Sequence, residues 1–180
     1  MSTKATSLSA ITLAIIIVLG FIPGIPIGIL PVPIVIQNLG IMLAGVILGR
    51  RYGFYTVVIF LLMIAVGIPV LTGGQGGFAH LIGPTAGYLY SYAIAAFFIG
   101  WVTEHLRVKG QLNFVTLLFT IVIFGILLIN FGGAIGLIIQ THMSVKTALV
   151  GQIAFIPGDI IKAILATIIG LVLARQKLLL

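Results

Sequence analysis

Pro157-Gly-Asp-Ile-Ile-Lys-Ala-Ile-Leu-Ala-Thr-Ile-Ile-Gly-Leu-Val-Leu-Ala-Arg175 opens with one charged pair, Asp159 and Lys162, and then carries no charge until Arg175. The stretch Pro157–Gln176 is long enough for a bilayer, which takes about 20 apolar residues. A charge at membrane depth is costly, so it is expected to face a bundle interior and to act there. Residues i and i+3 share a helix face, so Asp159 and Lys162 can work together. Lys162 precedes Arg175 by 13 residues, or about 20 Å of helix. With Arg175 at one interface, the pair lies in the opposite third of the hydrocarbon. Pro157 suits a first helical turn. Asp159 then sits near a helix N-terminus, where free N–H groups and the dipole favour an anion. The plainer alternative is that Asp159 and Lys162 only neutralise each other.

The rest of the chain sets this stretch in a membrane. Of 180 residues, 61% are hydrophobic and 6% charged, with a mean hydropathy of +1.37. A soluble fold of this length cannot bury that much apolar surface, so the chain reads as an all-α integral membrane protein. The absence of Cys excludes a disulfide framework and a thiolate metal site. A net charge of +7 suggests nucleic acid in a soluble protein. Here the cations stand between apolar spans, which points to topology and not to nucleic acid. Lys4 before the apolar run Leu8–Ile22 fits a signal peptide, but Pro23-Gly24-Ile25-Pro26 offers no A-x-A-like cleavage site, so the first span is read as retained.

Six spans are expected in one transmembrane domain, residues 1–180: about 7–21, 34–49, 52–68, 85–104, 114–140 and 157–176. A helical approach from Val145 is expected to precede the last. Arg50-Arg51 marks a tight turn between the second and third. With cytoplasmic N- and C-termini, the inside carries Lys4, Arg50, Arg51, Arg107, Lys109, Arg175 and Lys177, and the outside only Lys146. Seven against one sets the orientation, because positive loops stay inside.

Two expected outer connections are unusual. Gly24–Pro33 is uncharged and, with Pro23, holds four prolines; Leu71–Gly77 is glycine-rich around Gln75. Apolar loops suit lids over or dipping into the bundle, or segments lying in the headgroup region. Gln75 offers two donors and an acceptor, or belongs to a plain flexible loop. Phe78, Tyr88, Tyr90 and Tyr92 cluster at the same end. They read either as an interfacial aromatic belt or, for Tyr88 and Tyr92 at i, i+4, as a pocket wall. Ala10 and Ala14 form a small-xxx-small pair, as do Gly132 and Gly136; both permit close helix contact. His80, His105 and His142 are scattered, and Asp159 and Glu104 fall on opposite sides, so neither a metal site nor a catalytic triad can be built. No phosphate-binding motif occurs. An enzyme is therefore not expected, and no cofactor is called for.

Several stretches in order carry a family resemblance: Pro31-Val-Pro-Ile-Val-Ile-Gln37, Leu43-Ala-Gly-Val-Ile-Leu-Gly49, Gly67-Ile-Pro-Val70, Gly83-Pro-Thr-Ala-Gly-Tyr-Leu89 and Pro157-Gly-Asp-Ile-Ile-Lys162. The chain resembles the BioY family, the biotin-specific substrate-binding (S) components of energy-coupling factor (ECF) transporters. Three positions depart from the family's usual pattern: Val35 replaces Thr, Ala86 replaces Gly, and Leu89 stands where some members place a basic residue near the biotin carboxylate. The resemblance implies a six-helix S-component fold in the cell membrane, high-affinity biotin binding and uptake, and a transmembrane scaffold subunit with two ABC ATPases as partners. It implies substrate contacts at Asp159, Gln75, Phe78 and Tyr88, with Asp159 accepting the ureido N–H bonds. Lys162 either steadies Asp159 or meets the carboxylate. Scaffold docking is implied at Ala10 and Ala14. An S component for another vitamin, or a solitary biotin transporter, would carry much the same signals.

Overall fold

The structure is a computed structural model and describes residues 3–28, 30–176 and 178–180. Ile29 of the proline-rich connection and Lys177 of the positive set lie outside the described residues. The fold is all-α. Its elements are α1 (Thr3–Gly20), α2 (Asn38–Ala65), α3 (Ala79–Ile82), α4 (Ala86–Val108), α5 (Phe114–Ile121), α6 (Leu128–Thr141), α7 (Val145–Gly151) and α8 (Ile156–Arg175). A π-helical segment, Val122–Leu127, joins α5 to α6, and a 3₁₀ turn, Gln152–Phe155, joins α7 to α8. Five helical runs are long and apolar enough to cross a membrane: 3–20, 38–65, 86–108, 114–141 and 145–175.

The second run is not straight. Gly49 has φ 71° and ψ −175°, a non-helical conformation that splits α2 into two arms. Glu104 on α4 braces the break: its Oε1 accepts the Arg50 backbone N–H at 2.8 Å, and Oε2 lies 3.4 Å from Arg50 Nε. A backbone donor at the start of the second arm is thereby satisfied by a carboxylate, as at a capped N-terminus.

α1 begins four residues before the first expected span, α4 ends four residues beyond the fourth, and the second expected span begins four residues before α2. Residues 34–37 precede α2. Ile34 pairs with Ile25 instead, through N–H···O bonds of 2.9 and 2.8 Å in the two directions. Pro31 and Pro33 keep that segment extended, because proline restricts its own φ and the residue before it. The bridge closes the connection into a hairpin-like loop. Leu30 and Val32 within it are buried, and Leu30 packs beside Gly151 of α7. This loop lies over the helices.

α2 packs most extensively on α4, and α1 rests on α2. α4 meets α6 where Gly87 faces Gly132 and Gly136; a Cβ on Gly87 would collide with the Gly132 carbonyl and the Gly136 backbone. The Gly132/Gly136 pair therefore serves packing within the chain. Ala10 and Ala14 of α1 are both exposed, on a face shared with Ile11, Ile15 and Val18. On α8, Asp159, Lys162, Ala163, Ala166, Thr167 and Gly170 turn inward, while Ile161, Leu165, Ile168 and Val172 face out. That is one buried stripe at helical spacing.

Candidate functional site

Around the N-terminal turn of α8 the helices part and leave a cavity that opens to solvent. Its lining comes from both odd connections and from α2, α3, α4, α6 and the last run. The proline-rich loop and its exit give Val32, Pro33, Val35, Gln37 and Asn38. The glycine-rich connection gives Leu71, Thr72, Gln75 and, from α3, His80. Tyr88, Leu89 and Tyr92 enter from α4, Ile129 and Asn130 from α6, and Phe155, Asp159 and Lys162 from the last run.

Asp159 is 3% exposed, too little for water to carry its charge, so the partners decide what it can do. Oδ1 lies 2.6 Å from Lys162 Nζ and accepts from Asn38 Nδ2 at 3.1 Å. Oδ2 accepts from Asn130 Nδ2 at 2.9 Å. Lys162 Nζ also donates to Asn38 Oδ1 at 2.8 Å and to the Val35 carbonyl at 2.9 Å. An ammonium has three N–H bonds, and all three are taken. Oδ1 is likewise crowded; Oδ2, with a single partner, can accept again, since a carboxylate offers about four lone-pair sites. The pair is thus locked together, but beside an open space rather than against packed side chains.

The exit at 34–37, which leaves the Ile25–Ile34 bridge and turns into α2 at Gln37, makes this possible. It exposes the Val35 carbonyl to Lys162 and sets Gln37 and Asn38 at the mouth of α2. Gln37 Nε2 donates to the Ile16 carbonyl at 3.0 Å and the Val70 carbonyl at 2.7 Å, tying α1 and the glycine-rich connection to α2. On the far wall Tyr88 donates its hydroxyl proton to Gln152 Oε1 at 2.8 Å and packs edge-on against Phe155, with ring centroids 6.0 Å apart. Gln152 Nε2 in turn donates to the Ala148 carbonyl at 2.9 Å. The π segment before α6 adds a residue to its turn and shifts the helix faces on either side; Asn130 follows it, facing inward.

The structure thus brings Asp159, Lys162, Gln75 and Tyr88 to one cavity. Phe78 is not among the lining residues and is 59% exposed. The aromatic cluster divides accordingly: Tyr88 and Tyr92 are buried, whereas Phe78 and Tyr90 are exposed, with the Tyr90 hydroxyl on the Leu81 carbonyl at 2.7 Å. Sequence reasoning passed over Asn38, Asn130 and Gln152. Asn130 and Gln152 are lone amides in apolar runs, and Asn38 forms an amide pair with Gln37; a polar group in such a run is the same signal that drew attention to Asp159. Among the described residues, the Asn130 carbonyl oxygen, the Gln75 amide, the Tyr92 hydroxyl and the His80 imidazole have no hydrogen-bond partner. A mostly apolar cavity with a few fixed polar groups is the design of a small-molecule site.

Comparison with known proteins agrees with this geometry. The chain is 44% identical over 173 residues to a biotin transporter BioY of Lactococcus lactis subsp. cremoris, covering 96% of this chain and 92% of that one. It is 43% identical over 173 residues to a biotin transporter BioY of Rhizobium etli, covering 94% and 92%. Among solved structures it superposes with a TM-score of 0.93 and 42% identity on the S-component for biotin from an ECF-type ABC transporter, covering 97% of this chain and 95% of the other. The pattern of the BioY family itself matches residues 1–178, and the chain belongs to that family.

Proposed function

We propose that this chain binds biotin with high affinity in the cavity beside Asp159 and takes it up across the cell membrane as the S component of an ECF transporter. One observation carries the reading: a buried carboxylate, fixed by Asn38, Asn130 and Lys162, keeps one oxygen available toward an open cavity in a chain of this family. Biotin has a ureido edge with two N–H donors and a carbonyl, an apolar bicycle and a valerate carboxylate. Asp159 Oδ2 and the Asn130 carbonyl oxygen are matched acceptors for the two N–H bonds, the first of them charge-assisted. Gln75 offers its amide to the ureido carbonyl. Tyr88 and Phe155 form an apolar wall for the bicycle, and Phe78 enters as a residue at the rim. Lys162 serves Asp159, since its three N–H bonds are already engaged.

The same reading orders the whole chain. The break at Gly49 divides α2 into two crossings, which gives six transmembrane helices in one domain, residues 1–180. Both termini are then cytoplasmic, and the cavity opens outward in a bacterial-type cell membrane. The exposed face of α1 at Ala10 and Ala14 is where a transmembrane scaffold subunit would dock, with two ABC ATPases below it supplying energy. The chain is a carrier's binding component, not a catalyst, and requires no cofactor.

The test is equilibrium binding of labelled biotin to the detergent-purified protein, with mass spectrometry of co-purifying small molecules. Asp159→Asn keeps the shape and removes the charge. A hydrogen bond to a charged group contributes about 1.5–3 kcal/mol, so affinity should fall roughly tenfold to a hundredfold. Unchanged affinity removes Asp159 from recognition. A different vitamin, such as thiamine or riboflavin, bound in place of biotin overturns the substrate.

A further inference from the structure

The cavity's charges do not balance for the ligand proposed above. Asp159 and Lys162 neutralise each other at 2.6 Å, and Lys162 has no N–H left to give. A biotin molecule held by its ureido edge at Asp159 brings in a second carboxylate at the end of a flexible chain, toward the mouth. An unpaired anion in a cavity with apolar walls is costly, and Leu89 offers it nothing. The remaining donors there, the Gln75 amide and the Tyr92 hydroxyl, are neutral; they can hydrogen-bond a carboxylate but cannot offset its charge, and the Thr72 hydroxyl already donates to Gln37 Oε1 at 3.5 Å.

One other lining residue can become a cation: His80. It stands in α3, in the glycine-rich connection that also carries Thr72 and Gln75. Its backbone is fixed, with N–H on the Gly77 carbonyl at 3.1 Å and its own carbonyl accepting from Thr85 Oγ1 at 2.9 Å. Its imidazole is half-buried and has no hydrogen-bond partner among the described residues. The other charged or titratable side chains of the lining are Asp159, Lys162, Tyr88 and Tyr92. Lys146 and His142, near the same end in sequence, are not part of it.

We propose that His80 is the specificity-determining residue that reads the ligand's carboxylate, pairing with it as an imidazolium. The proposal rests on the biotin reading and adds to it a division of labour: α8 and α6 hold the ureido edge, and α3 holds the acid.

The experiment compares biotin with biotinamide, its neutral primary amide, on wild-type protein, His80→Gln and His80→Arg. Wild type should prefer biotin by about tenfold or more, the scale of one charge-assisted hydrogen bond. His80→Gln should bind biotinamide as wild type does, which also reports an intact fold, and lose most of its preference for biotin. His80→Arg should restore that preference. A wild-type protein that does not distinguish the two ligands, a His80→Gln variant with the wild-type ratio, or one that loses both ligands equally, overturns the role of His80. Wild-type protein that binds neither ligand overturns the biotin reading itself.

Discussion

Lys162 spends every one of its N–H bonds inside the protein, and that decides how the site can be altered. Removing one member of a buried, hydrogen-bonded ion pair leaves the other charge stranded, at about 3–5 kcal/mol. Lys162→Met should therefore lower thermal stability sharply, with Asp159 left against Asn38 and Asn130 alone. Removing both charges, in Asp159→Asn with Lys162→Met, should cost less than the sum of the single changes, by about 1–3 kcal/mol for groups in direct contact. Thermal unfolding of the four proteins in one detergent measures the coupling; strictly additive losses would show that the 2.6 Å contact carries no energy. Asn38 is the quiet member of the set. It donates to Asp159 and accepts from Lys162, so a single amide holds both charges in register.

Among the elements, α2 is the one whose sequence conceals most. Arg50-Arg51 marks a turn between two spans, and the residue that makes the turn is the neighbouring Gly49. Its φ of 71° with ψ of −175° belongs to a region that only glycine populates readily, and a side chain there costs about 1–3 kcal/mol. A Cβ at Gly49 would also strike the Glu104 carboxylate that holds the Arg50 N–H. Gly49→Ala should lower the melting temperature while leaving biotin affinity of the folded protein unchanged, because the cavity lining includes none of Gly49, Arg50 or Glu104. A parallel loss of affinity would mean that the two ends of the bundle are coupled. The short element α3 contrasts with α2: four residues long, it buries only Leu81 in the core, yet it brings His80 to the cavity.

For the molecule as a whole, the proposed orientation makes a direct prediction. The chain contains no cysteine, so engineered ones are unique labels. Lys146→Cys, in the first turn of α7, should react with a membrane-impermeant thiol reagent in intact cells. Gly110→Cys, in the turn after α4, should react only after the membrane is opened. The reverse pattern would invert the topology read from seven cations against one.

The chain's own composition and the spacing of its charges determined that it is an all-α protein of long apolar helices, and that Asp159 and Lys162 face inward on one helix. Those properties follow from local chemistry: apolar length, proline and glycine punctuation, and the expense of charge in hydrocarbon. The boundary at residues 34–37 was misread because apolar composition cannot distinguish a helix from a loop laid on a bundle; the pairing of Ile34 with Ile25 settles it. The partners of the charged pair are 121 and 29 residues from Asp159 along the chain. Nothing in the local sequence of Asn38 or Asn130 names that partner. Only the packing of α2, α6 and α8 brings two distant amides to one carboxylate, and with them a cavity whose free acceptors and spare imidazole define what it can hold.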